Sequence, residues 1–156
     1  MTLSKLKSLK SLNLMGAKLT DGGLKAIAGL ENLEQLNLHG CEKIEGPGLQ
    51  LLVQLKHLKE LDLGHVLGEP GIRDDGFGHL AMMTSLEELS QGHCSEFSPN
   101  SLYRLKGLKN LKTINLSYAF HLQGLYIWGP AGIGSISKGL ANVQTRGCPI
   151  GKIEGY

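Results

Sequence analysis

Four sets of residues in this chain carry side chains capable of chemistry. The first is His65 and His93 with Asp62 close by. Two imidazoles and a carboxylate suit a divalent metal, or a group titrating near neutral pH. The second is Cys41, Cys94 and Cys148, which would be nucleophiles or ligands if ionised. The third is the glycine-rich run from Gly129 to Lys138, GPAGIGSISK, which brushes against a phosphate-binding loop. The fourth is aromatic: Tyr118, Phe120, Tyr126 and Trp128 fall within eleven residues, and Trp and Tyr dominate binding hot spots.

The phosphate loop fails on spacing. It needs a glycine, four residues, then Gly-Lys-Ser/Thr. Here Ser135 follows Gly134 and Lys138 is displaced. Neither a Gly-x-Ser-x-Gly elbow nor a His-Glu-x-x-His pair occurs. The metal reading lacks a short-range His-x-His or Cys-x-x-Cys pair, its site would be open, and histidine is common on binding surfaces. The expectation is therefore no enzyme, no cofactor and no metal.

What positions these residues is a repeat. The phrase Leu-x-x-Leu-x-Leu begins at Leu9, Leu33 and Leu58. It returns with Gln91 in its last place from Leu86, with Ile114 from Leu111, and in degenerate form from Leu140. The steps are 24, 25, 28, 25 and 29 residues. A period of this size means stacked coils that share a continuous core. Within the phrase, alternation sends the fourth and sixth residues inward and the third, fifth and seventh to solvent. Leu36 and Leu38 are thus core, and Gln35, Asn37 and His39 are surface. After each strand an apolar anchor is followed by apolar residues in steps of three, as in Ile44, Leu49, Leu52, Leu55 and Leu58. This suits one or two turns of α- or 3₁₀-helix. Thr20-Asp21, Asp74-Asp75 and Ser98-Pro99 supply start signals for three of them.

Stacked in register, each solvent-facing place becomes a column. The second reads Lys10, Glu34, Lys59, Glu87, Lys112, with alternating charges that pair across strands. The fifth reads Asn13, Asn37, Asp62, Ser90, Asn115, Gln144, a polar stripe suited to hydrogen bonding with a partner. The third holds Ser11, Gln35, Glu60, Glu88 and Thr113 and, with Asp62, makes an acidic centre. The eighth adds His65, His93 and Tyr118 on consecutive strands. Insertions gather at the function-bearing side of solenoids, so the long fifth repeat, with Trp128 and a glycine-rich insertion over 129–139, is a candidate rim. A covering role for Phe120 and Trp128 at the end of the stack is equally open. Gln91 stands where a core leucine is expected, facing a water, an orphan carbonyl or a bend.

Composition narrows the classes further. One domain suits 156 residues. A net charge of +2 gives no strong sequence-independent pull on nucleic acid. No apolar run is long enough to span a bilayer, and residues 1–14 do not read as a secretory signal. Three cysteines, an odd count, suggest reduced thiols and a cytoplasmic compartment.

The residues resemble the leucine-rich repeat family, in its cysteine-containing and bacterial-type subclass. Leu33 to Ile44 and Leu86 to Phe97 fit Leu-x-x-Leu-x-Leu-x-x-Cys-x-x-Ile/Phe, with Cys41 and Cys94 in place, and LTDGGL at 19–24 is close to a subclass motif. The resemblance implies a leucine-rich-repeat solenoid, a right-handed α/β horseshoe. About six short parallel strands would line its concave face and short helices its convex face. It implies one domain over 1–156, with 1–8 a partial repeat or N-terminal cap. It makes the cysteines packing elements, and the activity non-catalytic protein–protein recognition. Partner contact is expected at Asp62, His65, Glu88, His93, Tyr118 and Trp128. The alternatives are a structural solenoid that self-associates through its C-terminal end, or the substrate-reading or regulatory segment of a larger F-box-like adaptor or effector.

Overall fold

A computed structural model describes residues 5–65, 74–91, 104–115 and 144–146. Each phrase becomes a three-residue strand: β1 (Ser11–Asn13), β2 (Gln35–Asn37), β3 (Glu60–Asp62), β4 (Glu88–Ser90), β5 (Thr113–Asn115) and β6 (Gln144–Arg146). All six pair in chain order as one parallel sheet. Leu12, Leu36, Leu61, Leu89 and Ile114 stand side by side along it. A strand this short cannot stand alone, so its hydrogen bonds run between coils. Leu38 N–H donates to Asp62 O (2.8 Å), Leu63 N–H to Ser90 O (2.8 Å) and Gln91 N–H to Asn115 O (2.8 Å).

The convex layer carries α1 (Asp21–Ile27), a 3₁₀ helix at Gly46–Gln54, α2 (Asp74–Leu80) and a short 3₁₀ turn at Leu105–Gly107. Nine residues is long for a 3₁₀ helix. Three residues per turn place Leu49 and Leu52 one above the other, both fully buried, and Leu55 follows at the same step. Pro47 starts it where its missing N–H costs nothing. Between the layers, one continuous cluster of leucines and isoleucines runs from Leu24 to Ile114, with Phe77 its largest member. Each buried leucine is worth about 1.5–3 kcal/mol relative to exposure. Strands stack about 4.8 Å apart while helices need more room, which favours a curved stack with the sheet inside.

Two local expectations need correction. Thr20 stands at the N-cap of α1 with extended backbone, but its side chain makes no capping bond. Asp21 instead reaches the next coil, where its Oδ1 accepts the Glu45 N–H at 2.8 Å. Gly48 makes room for that carboxylate, because a Cβ there would lie 2.2 Å from Asp21 Cγ. The second correction concerns Gln144, which pairs with Thr113, so Arg146 rather than Gln144 continues the fifth column. A two-residue slip keeps every side chain on its own face, so alternation could not detect it. The Asp74-Asp75 side chains and Ser98-Pro99 lie outside the described residues.

Candidate functional site: the concave strand face

The concave face is a groove of about 390 Å³ laid across β1 to β5, lined from Ser11 to Asn115 by third- and fifth-column residues with Leu12, Leu36, Leu61 and Leu89 between them. Along its edge the second column pairs as the alternating charges predict. Lys10 meets Glu34 at 2.9 Å, Lys59 meets the same carboxylate at 2.8 Å, and Lys112 meets Glu87. The Lys59 hydrogen bond, then that of Lys10, holds the Glu34 carboxyl down at about 2. Glu87 and Glu31 are lowered in the same way by Lys112 and Lys7.

The fifth column has a structural duty that its polarity did not reveal. Asn13 Oδ1 accepts the Met15 N–H (2.9 Å), Asn37 Oδ1 the His39 N–H (2.9 Å) and Asp62 Oδ1 the Gly64 N–H (2.8 Å). These two-residue side-chain turns end β1, β2 and β3. Part of the stripe expected to serve a partner is therefore spent within the chain. The residue just beyond each turn is left-handed. Gly16 (φ 69°) and Gly40 (φ 71°) adopt this conformation without strain, but the third coil puts His65 there (φ 54°). A non-glycine residue in this region costs about 1–2 kcal/mol, and histidine is among those that tolerate it.

His65 is thereby brought against His39, ring centroids 5.3 Å apart and planes tilted by 58°. His39 Nδ1 lies 3.6 Å from Asp62 Oδ1, an ion pair whenever the imidazole is protonated. Gly64 holds this geometry open, since a Cβ there would be 2.6 Å from His39 Nδ1. The sequence reading placed His39 on the surface but did not include it in the site. Its signal was position seven of the phrase, on the same face as Gln35 and Asn37. Among the described residues, no group of three or more His, Cys, Asp or Glu could hold a metal ion.

Of the predicted contact residues, Asp62 ends β3, Glu88 begins β4 and His65 follows β3 at the strand exit. Asp62 and Glu88 line the groove together. His93, Tyr118 and Trp128 lie outside the described residues, as do Cys94 and Cys148. Cys41 is buried, and its Sγ–H donates to Leu14 O at 3.2 Å where the first coil leaves its strand. Burial pushes this thiol up, against a smaller opposing effect of the Ala17 backbone hydrogen bond. A neutral, sealed thiol acts as packing. Gln91 is fully buried, and neither its amide oxygen nor its nitrogen finds a partner among the described residues. Its backbone N–H still donates to Asn115 O at 2.8 Å.

A single parallel sheet, helices on its outer side and apolar residues shared between successive coils define an α/β repeat solenoid with one open strand face. Residues 5–28 and 29–53 match the family model described as Leucine Rich repeat. Those two coils are leucine-rich repeats, and the later strands continue the same parallel sheet. Among solved structures the chain is similar to internalin C2 of Listeria monocytogenes, with a TM-score of 0.56 and 21% identity over 92% of this chain. The chain spans 64% of that internalin, and the likeness is one of fold. A chain of the TLR13–ssRNA13 complex matches 74% of this chain and 16% of its own, at 24% identity and TM-score 0.48. Internalin InlF of Listeria monocytogenes matches 74% of this chain and 50% of its own, at 17% identity and TM-score 0.28. No helix among the described residues is long and apolar enough to cross a membrane.

Proposed function

We propose that this chain is a non-catalytic recognition module that seats another protein on its concave face and strand-exit rim. The observation that carries this is the open groove, whose side chains come from five adjacent strands. Rigid coils hold those side chains at a fixed pitch, so a partner meets a preorganised surface. Asp62, His65 and Glu88 are its contacts in the third and fourth coils. On the sequence pattern, the surface extends to His93, Tyr118 and Trp128 at the rim.

The test is affinity capture with two variants of the full chain. One carries Asp62→Asn, His65→Ala and Glu88→Gln on the groove side. The other carries Lys25→Gln and Lys56→Gln away from it. Partners held by the wild type should be lost from the first variant and kept by the second. Retention of every partner by the groove variant rejects the assignment. Light scattering over a concentration series addresses the self-associating alternative, which a strict monomer removes.

A further inference from the structure

Neighbouring coils neutralise one another along the second column and fail to do so along the third. Glu34 and Glu87 each take lysine partners across strands. Glu60 and Glu88, by contrast, stand beside one another on paired strands, with Asp62 two residues further along β3. Like charges at directly neighbouring positions destabilise a sheet, and nothing among the described residues forms an ion pair with Glu88. Gln35 Nε2 donates to Glu60 Oε1 at 2.9 Å, and the Gly64 N–H and His39 attend Asp62. Lys59 is close enough to feel Glu60, but its ammonium is bound to Glu34. Thr113 flanks Glu88 on the far side and is neutral.

The first two coils present the opposite chemistry. Asn13 and Asn37 each engage Oδ1 in a strand-ending turn, so their amide N–H groups are the donors they can offer to an occupant. The groove therefore runs from neutral amide and hydroxyl groups over β1 and β2 to carboxylates over β3 and β4.

Resting on the recognition reading above, we propose that the occupant is a basic peptide segment of another protein. It lays an arginine, or less well a lysine, between Glu60 and Glu88, and turns backbone carbonyls toward Asn13 and Asn37. A guanidinium is the better fit, because its fixed fork of donors can serve two carboxylates at once. The energy lost by placing Glu60 beside Glu88 in the free protein is recovered when that cation arrives.

A displayed library of random peptides, panned on the full chain at about 0.15 M salt to screen weak long-range attraction, tests this. The enriched peptides should carry excess arginine and lysine. Their affinity, read by fluorescence anisotropy, should fall at least about tenfold on Glu60→Gln/Glu88→Gln. It should stay within about twofold on Glu42→Gln/Glu45→Gln, which makes the same change in net charge at exposed positions outside the groove. The Glu60→Gln/Glu88→Gln protein should itself melt up to about 4 °C higher, because the repulsion is gone. Equal loss on both double variants means bulk attraction and overturns the proposal. Peptides without basic residues that depend on Asn13 and Asn37 overturn it too, yet leave protein recognition standing. If no enriched peptide is sensitive to any groove substitution, both readings fall.

Discussion

The coils built on β1 and β2 differ from those built on β3 and β4 in how closely they follow the rules of their own repeat. The first two place leucine at the sixth position, glycine at the left-handed turn and neutral residues in the third column: Leu14 and Leu38, Gly16 and Gly40, Ser11 and Gln35. The next two between them break all three rules. His65 occupies the left-handed turn, Gln91 is buried in a leucine position, and Glu60 stands beside Glu88. On the convex side of the third coil the described residues Phe77, Leu80, Met83 and Leu86 are all buried, as the repeat pattern requires. Among the described residues the departures fall in or just after the strands, two of them on the open face or its exit and Gln91 in the core beneath, while the described convex residues keep to their pattern. Proteins typically break local rules at functional sites and compensate elsewhere.

The largest effect should come from transplanting one departure into a coil that follows the rules. Leu38→Gln would bury an amide in the second coil and remove a packed leucine, at a cost of about 3–5 kcal/mol. Urea unfolding measures it. A loss under about 1 kcal/mol would show that these coils can satisfy a buried amide, and the contrast between the two halves would dissolve. The reverse change, Gln91→Leu, should stabilise by about 1–3 kcal/mol, because two orphaned polar atoms are replaced by a side chain of the surrounding type. A destabilised variant would mean that Gln91 has a partner that gives the amide a structural role.

His65→Gly sharpens the comparison at the turn. It removes left-handed strain but frees the unfolded chain, for a net gain in stability of about 0.5–1 kcal/mol, read as a higher thermal midpoint. The same variant should weaken any partner held at the groove exit. The smallest effect is electrostatic and belongs to the compliant second column. The Glu34 carboxyl falls from its ordinary 4.5 to about 2 in the folded protein. The contribution of its ion pairs is therefore complete above about pH 4.5 and is lost as pH falls toward 2. Glu34→Gln should be less stable than the wild type at pH 7 and converge with it in acid, and salt should shrink the gap. A gap that persists at pH 2 would assign the side chain a role other than charge.

The repeat spacing alone determined the faces and most of the columns. Strands of five coils pair as the phrase aligns them, from Ser11 beside Gln35 to Glu88 beside Thr113. Leu36, Leu61 and Leu89 are core as alternation requires. Both follow because a strand's period of two and a coil's period of about twenty-five convert residue type directly into position. The acidic centre was legible for the same reason. Tertiary structure decided what those side chains do. It turned Asn13, Asn37 and Asp62 into strand-ending turns, sent Asp21 across to Glu45, and brought His39 between Asp62 and His65 through the space left at Gly64. It also moved the sixth strand by two residues, an even shift invisible to alternation. Hydrophobic periodicity reports which way a residue faces. The sign of φ and the few tenths of an ångström that make a hydrogen bond depend on how neighbouring coils settle against each other, and a repeat pattern carries neither.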